Sequence, residues 1–121
     1  MAIAKLGTVV LDCPDPLALA EFYAALLGGT ATLDEDGTWA DLTGPDGTPL
    51  AFQRAPGHVP PHWPSAETSQ QFHLDLTVED LEQAEGEAVA LGAKVLDRGP
   101  EGRTWRVYAD PAGHPFCLCA S

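Results

Sequence analysis

The chain repeats itself at a spacing of 65 to 66 residues, and this repeat constrains the fold more than any single motif does. Residues 45–52 (PDGTPLAF) recur as residues 111–118 (PAGHPFCL), and Thr38-Trp39 recurs as Thr104-Trp105. Distant matches that keep nearly one offset indicate an internal repeat, in which each copy is one supersecondary unit. The sequence therefore predicts two copies of one structural unit, and a chain of 121 residues has the length of a single compact domain.

The first copy reads as a strand, a helix and three further strands. Residues 7–13 are β-branched and apolar, which is typical of a strand. Asp15-Pro16 supplies an N-cap and a first-turn proline, and Gly28-Gly29 ends the helix. Apolar residues recur between these ends at helical spacing: Leu19, Phe22, Tyr23 and Leu26. Three strands separated by glycine-containing turns are predicted next, over residues 30–35, 37–43 and 48–54.

The second copy repeats this order. Residues 71–78 alternate as a strand, and Asp80 or Thr77 can cap a helix that runs to Leu91-Gly92. The remaining strands are predicted over residues 94–98, 103–109 and 114–120. Four prolines exclude regular structure from residues 55–70, so this segment is predicted to be a linker. The expected fold is one α+β domain over residues 1–121, with βαβββ modules at 6–54 and 71–121.

The charge balance excludes some partners. The formal net charge is -12, which repels phosphate backbones and anionic membranes, so neither nucleic acid nor membrane is a predicted partner. Four of the six basic residues fall between positions 94 and 106, where solvated strand and turn positions are favoured over a patch that binds an anionic small molecule. No apolar run approaches the roughly 18 residues that span a bilayer, and the first residues lack the layout of a secretory signal. The expected location is cytoplasmic.

Three cysteines are an odd number, whereas a disulfide framework needs pairs. Cys117 and Cys119 stand two apart on a predicted strand, so their side chains point the same way and cannot easily bond each other. Buried free thiols in a reducing compartment are the expected state.

Three strings resemble the vicinal oxygen chelate superfamily, which groups glyoxalases, bleomycin-resistance proteins and extradiol dioxygenases. They are spread along nearly the whole chain, in the order expected for that superfamily: VVLDCPDPLALAEFYAALLGG, FHLDLTVEDLEQA and YADPAGHPFCL. The resemblance implies two tandem βαβββ modules that form a cup-shaped, partly closed mixed sheet, often within a homodimer. It also implies a small-molecule site in the cup between the modules. Active members of this superfamily hold a divalent metal there, such as zinc, nickel, manganese or iron.

The same resemblance implies metal ligands on the first and last strand of each module. The first-strand positions here are Thr8 and His73, and the last-strand positions are Ala51 and Cys117. Only His73 matches the usual set of histidine, glutamate and glutamine, whereas a catalytic zinc usually keeps three protein ligands. We therefore predict no resident metal and no glyoxalase I activity. If a metal is bound, His73 with Gln53 or Asp75 is the expected ligand set.

His73 is a candidate general base or hydrogen-bonding anchor, oriented by Asp75. The alternative interpretation is a hydrogen-bonded core histidine left from a lost metal site. Cys117 would be a nucleophile only if its thiolate were stabilised, and a small buried hydrophobic residue is the favoured interpretation. The full predicted ligand-binding set is Thr8, Trp39, Gln53, Trp63, His73, Trp105, Arg106 and Cys117.

Trp39 and Trp105 are related by the repeat, and Trp63 lies between prolines of the predicted linker. Packing is the favoured role for all three rings, although aromatic walls also suit a cup that holds a flat ligand. The leading functional prediction is a metal-independent protein that binds a small organic molecule, as bleomycin-resistance proteins do. The alternative is an enzyme of lyase, isomerase or dioxygenase type that uses a metal or His73. A purely structural domain for protein partners has no positive support in the sequence.

Overall fold

The computed structural model describes residues 2–44, 47, 49–65, 67 and 69–120. The first βαβββ set consists of β1 (Val9–Cys13), α1 (Pro16–Leu27), β2 (Thr30–Leu33), β3 (Trp39–Thr43) and β4 (Leu50–Arg54). The second set consists of β5 (Leu74–Val78), α2 (Leu81–Leu91), β6 (Lys94–Asp97), β7 (Trp105–Ala109) and β8 (Pro115–Ala120). The predicted α+β order is confirmed, and each of the eight strands is shorter than its predicted range. The predicted turn at residues 45–47 lies mostly outside the described residues.

Each set forms a four-stranded mixed sheet with the same topology. The strand orders are β1-β4-β3-β2 and β5-β8-β7-β6. The first strand of each set pairs in parallel with the last, and the other pairs are antiparallel. The parallel registers place Val10 opposite Ala51 in one sheet and Asp75 opposite Cys117 in the other. Both sheets are therefore built to one plan, as the repeat predicts.

The chain divides into two compact units, one ending at His58 and one beginning at Val59. Within residues 55–73, the part that the structure describes contains no helix or strand, in agreement with the prolines there. The second unit thus includes Trp63 and Gln70, which precede its first strand. Among the described residues, no helix is both long and apolar enough to cross a membrane.

Helix α1 of the first unit packs on its sheet through apolar side chains. The carboxylate of Asp15 accepts a hydrogen bond of 3.1 Å from the Ala18 amide and caps the helix. Leu19, Phe22 and Tyr23 are buried, and the Tyr23 ring stacks on that of Phe52 with 5.8 Å between centroids. Burying several large aromatic side chains is the main favourable contribution to such an interface.

Helix α2 of the second unit buries much less apolar surface. Asp80 is its N-cap, since the Asp80 carboxylate accepts from the Gln83 amide at 3.2 Å, whereas Thr77 lies within β5. The buried residues of α2 are Glu85 and Ala88. Gly92 ends the helix in the left-handed conformation, at φ 118°.

Glu85 attaches α2 to its sheet through hydrogen bonds and ion pairs, where α1 uses apolar contacts. Its carboxylate accepts from Tyr108 Oη at 2.9 Å, from Arg98 Nε at 2.9 Å and from Arg106 Nη1 at 3.2 Å. Burial by itself would raise the pKa of Glu85, but these hydrogen bonds and the charge of Arg98 lower it below its ordinary value. The second helix is therefore attached to its sheet by an ionised, fully paired carboxylate.

Two of the basic residues that the sequence placed at solvated positions are largely buried. The side chains of Arg103 and Arg106 are 17% and 15% exposed, and both form ion pairs, with Asp97 and with Glu82 and Glu85 respectively. The expectation of a solvated cluster is wrong for these two, because carboxylates of the same unit lie within reach. The three cysteines form no disulfide with one another; Cys13 and Cys117 are buried, as predicted, whereas Cys119 is partly exposed.

Candidate functional site

Strand alternation divides the second sheet into two faces. Arg106 and Tyr108 contact Glu85 and so lie on the face that α2 covers. Their neighbours Trp105 and Val107 lie on the opposite face, because successive side chains of a strand point to opposite sides. The register places Val107 opposite Cys117 and Trp105 opposite Cys119 on that face.

This opposite face carries a cleft of about 400 Å³, termed here the second-unit cleft. It is lined by residues of β5, β7 and β8 and of the segments that precede β5 and β7: Trp63, Gln70, His73, Asp75, Thr104, Trp105, Val107, Cys117 and Cys119. Aromatic, aliphatic and thiol groups supply most of the wall, with few polar groups among them. Ligand sites of small molecules usually have this volume and this kind of lining.

Three of the lining residues bring different functional groups together, and we term them the polar corner: His73, Asp75 and Cys117. The His73 Nε2 atom lies 3.1 Å from Asp75 Oδ1, with the side chains 39% and 64% exposed. One donor atom from each of the three residues lies within 4.8 Å of the other two. The structure therefore brings His73, Asp75 and Cys117 together, as neighbours in one part of the cleft.

Cys117 is not an activated nucleophile in this arrangement. Burial first, and then the neighbouring Asp75 carboxylate, raise the pKa of the Cys117 thiol to about 12. Burial likewise raises the pKa of Cys119. Because the thiolate is the reactive form, a thiol of such high pKa is inert at neutral pH. The structure therefore favours the interpretation of Cys117 as a small buried side chain.

Gln70 is a lining residue that sequence reasoning missed. Its side-chain oxygen Oε1 is buried and accepts no hydrogen bond from any residue that the structure describes. The next residue, Gln71, has a left-handed backbone with φ 69°, which is uncommon outside glycine. Nothing in the pattern of residues 55–70 distinguishes Gln70, since the segment lacks periodicity and the repeat offers no counterpart. Thr104 was also missed as a lining residue.

Arg106 is the one predicted binding residue of the second unit that the structure keeps out of the second-unit cleft. It lies on the helix-covered face, where its Nη2 donates to Glu82 at 2.6 Å and its Nη1 donates to Glu85. The physical reason is strand alternation, because Trp105 and Arg106 are adjacent and cannot both face one cleft. The cation next to the cleft is Arg103, whose guanidinium lies 3.8 Å from the Trp105 ring centroid.

The remaining predicted residues belong to the first unit. Trp39 and Gln53 are partners in the β3–β4 register, so they share one face of that sheet, and Thr8 is exposed just before β1. The Trp39 indole donates a hydrogen bond of 3.0 Å to Asp41. At the positions equivalent to Asp75 and Cys117, the first sheet carries Val10 and Ala51, which offer no metal-binding side chain.

The polar corner fits a borderline-soft divalent ion such as zinc in its donor types. Catalytic zinc is commonly held by three protein ligands drawn from imidazole nitrogen, carboxylate oxygen and thiolate sulfur. Binding would require Cys117 to lose its proton and His73 to exchange its contact with Asp75 for the ion, and a bound cation favours both changes. Compared with the predicted ligand set of His73 with Gln53 or Asp75, the structure assembles His73 with Asp75 and adds Cys117.

The sequence profile of the glyoxalase-like domain matches residues 8–119, which is most of the chain. The chain belongs to the glyoxalase-like domain family. This places it in the vicinal oxygen chelate superfamily, as the sequence strings predicted. No match to this glyoxalase-like chain was found among proteins of curated function.

Solved structures share the fold at low sequence identity. A glyoxalase/bleomycin resistance protein/dioxygenase family enzyme from Burkholderia phytofirmans has a TM-score of 0.75 at 16% identity, covering 97% of this chain and 98% of its own. A mutant of the fosfomycin resistance protein FosX from Listeria monocytogenes, complexed with Mn(II) and a dihydroxypropylphosphonic acid, has a TM-score of 0.73 at 12% identity, covering 100% and 94%. A hypothetical protein from S. aureus has a TM-score of 0.68 at 16% identity over the full length of both chains. These similarities establish the glyoxalase fold.

Proposed function

We propose that this glyoxalase-like protein binds a small organic molecule in the second-unit cleft and that binding, rather than a reaction, is its function. The observation that carries the proposal is the cleft itself. Its volume of about 400 Å³ suits a small molecule, and its wall combines two tryptophans with one cluster of polar groups. Indole rings provide large, rigid contact area for a flat ligand.

The polar corner supports binding more than covalent chemistry. His73 Nε2 and Asp75 Oδ1 lie 3.1 Å apart, and the two side chains together can orient a polar group of the ligand. Cys117, whose pKa is raised to about 12, supplies no thiolate for a covalent step at neutral pH. We include in this proposal a homodimeric assembly, a cytoplasmic location and the absence of a resident metal, which all follow from the sequence interpretation.

The experiment is a titration with N-phenylnaphthylamine, a neutral dye whose fluorescence rises in apolar sites. We expect saturable binding with one site per chain. Trp105→Ala should weaken binding by about tenfold or more, since loss of one buried aromatic contact costs roughly 1–3 kcal/mol. Trp39→Ala, the repeat-related change in the first unit, is the matched control. Absence of saturable binding by the folded protein, or binding that Trp105→Ala leaves unchanged, would refute the proposal.

A second candidate function is favoured by the three donor atoms of the polar corner. In this alternative, His73, Asp75 and Cys117 hold a divalent ion, and the protein is a lyase, isomerase or dioxygenase-type enzyme. When bound, such an ion would supply Lewis-acid activation of a ligand oxygen. His73 or Asp75 could otherwise act as the general base, in which case His73→Ala abolishes turnover and leaves the fold intact.

Elemental analysis after incubation with zinc, nickel, manganese or iron(II) separates the two candidates. The metal-centre candidate requires stoichiometric uptake that His73→Ala and Cys117→Ser remove. Cys119→Ser is the matched control, because Cys119 is a second thiol of the same cleft that lies outside the polar corner. Uptake that survives Cys117→Ser, or no uptake at all, rejects this candidate and leaves the binding function.

A further inference from the structure

We propose that Arg103 is a positioning residue of the second-unit cleft, because its planar guanidinium holds the Trp105 ring in the orientation that a ligand contacts. This inference rests on the proposed binding function and assigns part of the binding affinity to a residue outside the cleft lining. It follows from the contact between the two side chains, from the hydrogen bonds that fix Arg103, and from a glycine that leaves room for the guanidinium.

The Trp105 ring is a partly exposed contact surface. Trp105 is the first residue of β7 and lines the cleft, and it is 41% exposed. An exposed side chain has several accessible rotamers, and a ligand that must order it loses affinity. The guanidinium of Arg103 lies over this ring, with its central carbon 3.8 Å from the ring centroid. A cation over the face of an indole is attracted to it, so Arg103 restricts the ring before a ligand binds.

Hydrogen bonds to two residues fix Arg103 itself. Its Nε donates to the Trp105 carbonyl at 2.8 Å and its Nη2 donates to the Asp97 carbonyl at 3.0 Å. Its Nη1 pairs with the Asp97 carboxylate at 3.4 Å, and the Arg103 side chain is 17% exposed. The other oxygen of that carboxylate accepts from the Gly99 amide at 2.7 Å. A planar fork held in this way has a defined plane, which the ammonium group of a lysine cannot reproduce.

Gly99 leaves the space that the guanidinium occupies. Its φ of 67° lies in the left-handed region that favours glycine, and a Cβ atom at this position would overlap the Cζ and Nε atoms of Arg103. Gly102, in the same turn, also has a left-handed φ of 89°, but a Cβ atom there would meet no described atom within 4 Å. The two glycines therefore share a backbone requirement and differ in their contact with Arg103. This difference provides a matched pair of variants.

Arg103 acts through Trp105 rather than on the ligand. Among the described residues, the cleft lining includes Trp105 and does not include Arg103. Removal of Arg103 should therefore weaken binding only while Trp105 is present. A double-mutant cycle measures this dependence, since residues in contact give effects that do not add.

The experiment is a titration of the full chain with N-phenylnaphthylamine. Arg103→Ala should weaken binding by about three- to tenfold, the cost of one side chain that the ligand has to order. The same change in a Trp105→Ala background should alter the dissociation constant by less than about twofold. Arg103→Lys keeps the charge without the planar fork, so it should also weaken binding. If Arg103→Ala does not fold, Arg103→Lys takes its place in the cycle.

Gly99→Ala displaces the guanidinium without removing it. It should reproduce the loss of affinity of Arg103→Ala, whereas Gly102→Ala should stay within about twofold of the wild type. NMR spectra supply a readout that a merely stabilising role would not change. The ring current of Trp105 shifts the side-chain proton signals of Arg103 upfield in the wild type. These signals should move downfield in Gly99→Ala and keep their positions in Gly102→Ala.

The outcomes distinguish this inference from the function on which it rests. If the wild type binds no dye, or if Trp105→Ala leaves binding unchanged, the binding function fails and the inference with it. If Trp105→Ala weakens binding whereas Arg103→Ala and Arg103→Lys do not, the binding function stands and the positioning role is overturned. Equal losses in Gly99→Ala and Gly102→Ala, or an effect of Arg103→Ala that persists without Trp105, would also overturn it.

Discussion

The two units build the same four-stranded sheet, yet they attach their helices to it by different means. In the first unit Tyr23 stacks on Phe52 beneath α1, and the interface is apolar. In the second unit the centre of the interface is Glu85, which accepts hydrogen bonds from two arginines and from Tyr108. One backbone plan is thus compatible with an apolar and with an ionic helix–sheet interface, provided that every buried polar atom there is paired.

The repeat locates this difference residue by residue. At its offsets of 65 and 66, Glu85 corresponds to Ala20 and Arg106 corresponds to Ala40. The second unit has therefore placed its polar groups where the first unit has small apolar ones. On the opposite face the same contrast holds, since His73 and Cys117 stand where the first unit has Thr8 and Ala51. Both units share the scaffold, and at the positions equivalent to the polar corner the first unit has Thr8, Val10 and Ala51.

The largest effect is expected in the apolar interface. Phe52 is fully buried, so Phe52→Ala should lower the free energy of unfolding by about 3–5 kcal/mol through lost contacts and a residual cavity. Urea denaturation measures this change. Phe72→Ala is the matched control, because Phe72 is 86% exposed and its truncation should stay within about 0.5 kcal/mol. Similar losses at the two positions would contradict the assignment of the first-unit core.

Glu85→Ala tests the ionic interface. Removal of the carboxylate leaves Tyr108 Oη and Arg106 Nη1 without their acceptor, while Arg106 Nη2 keeps its bond to Glu82, and the loss should cost about 3 kcal/mol. Glu82→Ala is the control, because it removes an exposed carboxylate of the same helix that also pairs with Arg106. It should lower the free energy of unfolding by about 0–1 kcal/mol. Equal costs would mean that burial of Glu85 has no special consequence.

Converting the second interface to apolar chemistry should reverse much of that loss. The triple substitution Glu85→Met, Arg106→Leu and Tyr108→Phe removes every buried partner at once, and well-packed apolar groups often replace a buried ion pair at no net cost. We expect its unfolding free energy to exceed that of Glu85→Ala by about 2 kcal/mol. A triple variant that is less stable than Glu85→Ala would show that the second unit requires its ionic network.

A smaller effect concerns acid stability. The pKa of Glu85 is lowered in the folded protein. Its contribution to the unfolding free energy is therefore fully present above the ordinary glutamate pKa and is lost as the pH falls through the pKa of the folded state. The unfolded chain takes up the proton first in that range, which favours unfolding. From roughly pH 5 to pH 3, a range that spans the ordinary glutamate pKa of about 4.3, the unfolding free energy of the wild type should fall more than that of the triple variant. Parallel pH profiles from urea denaturation would contradict this.

The fold could be predicted from sequence because its determinants are local and repeated. The caps Asp15 and Asp80 and the terminal glycines bound both helices, and the repeat confirms the strand order independently. Within the candidate site, the sequence indicated His73 and Asp75, which the structure brings together.

Two features of the site could not be predicted in the same way. Gln70 lies in an aperiodic segment, so its place in the cleft wall depends on how that segment folds back. Whether Arg106 faces the helix or the cleft depends on which face of the sheet α2 covers. The hydrophobic pattern of β7 does not determine that face. Adjacent residues of one strand could nevertheless have been assigned to opposite faces, and that rule excludes Arg106 once Trp105 is placed in the cleft.

The most direct test of the central claim is a crystal structure of the protein with N-phenylnaphthylamine. The account predicts that the dye lies in the second-unit cleft, with an aromatic ring against Trp105. Dye bound elsewhere, or bound in the cleft without contact to Trp105, would contradict it.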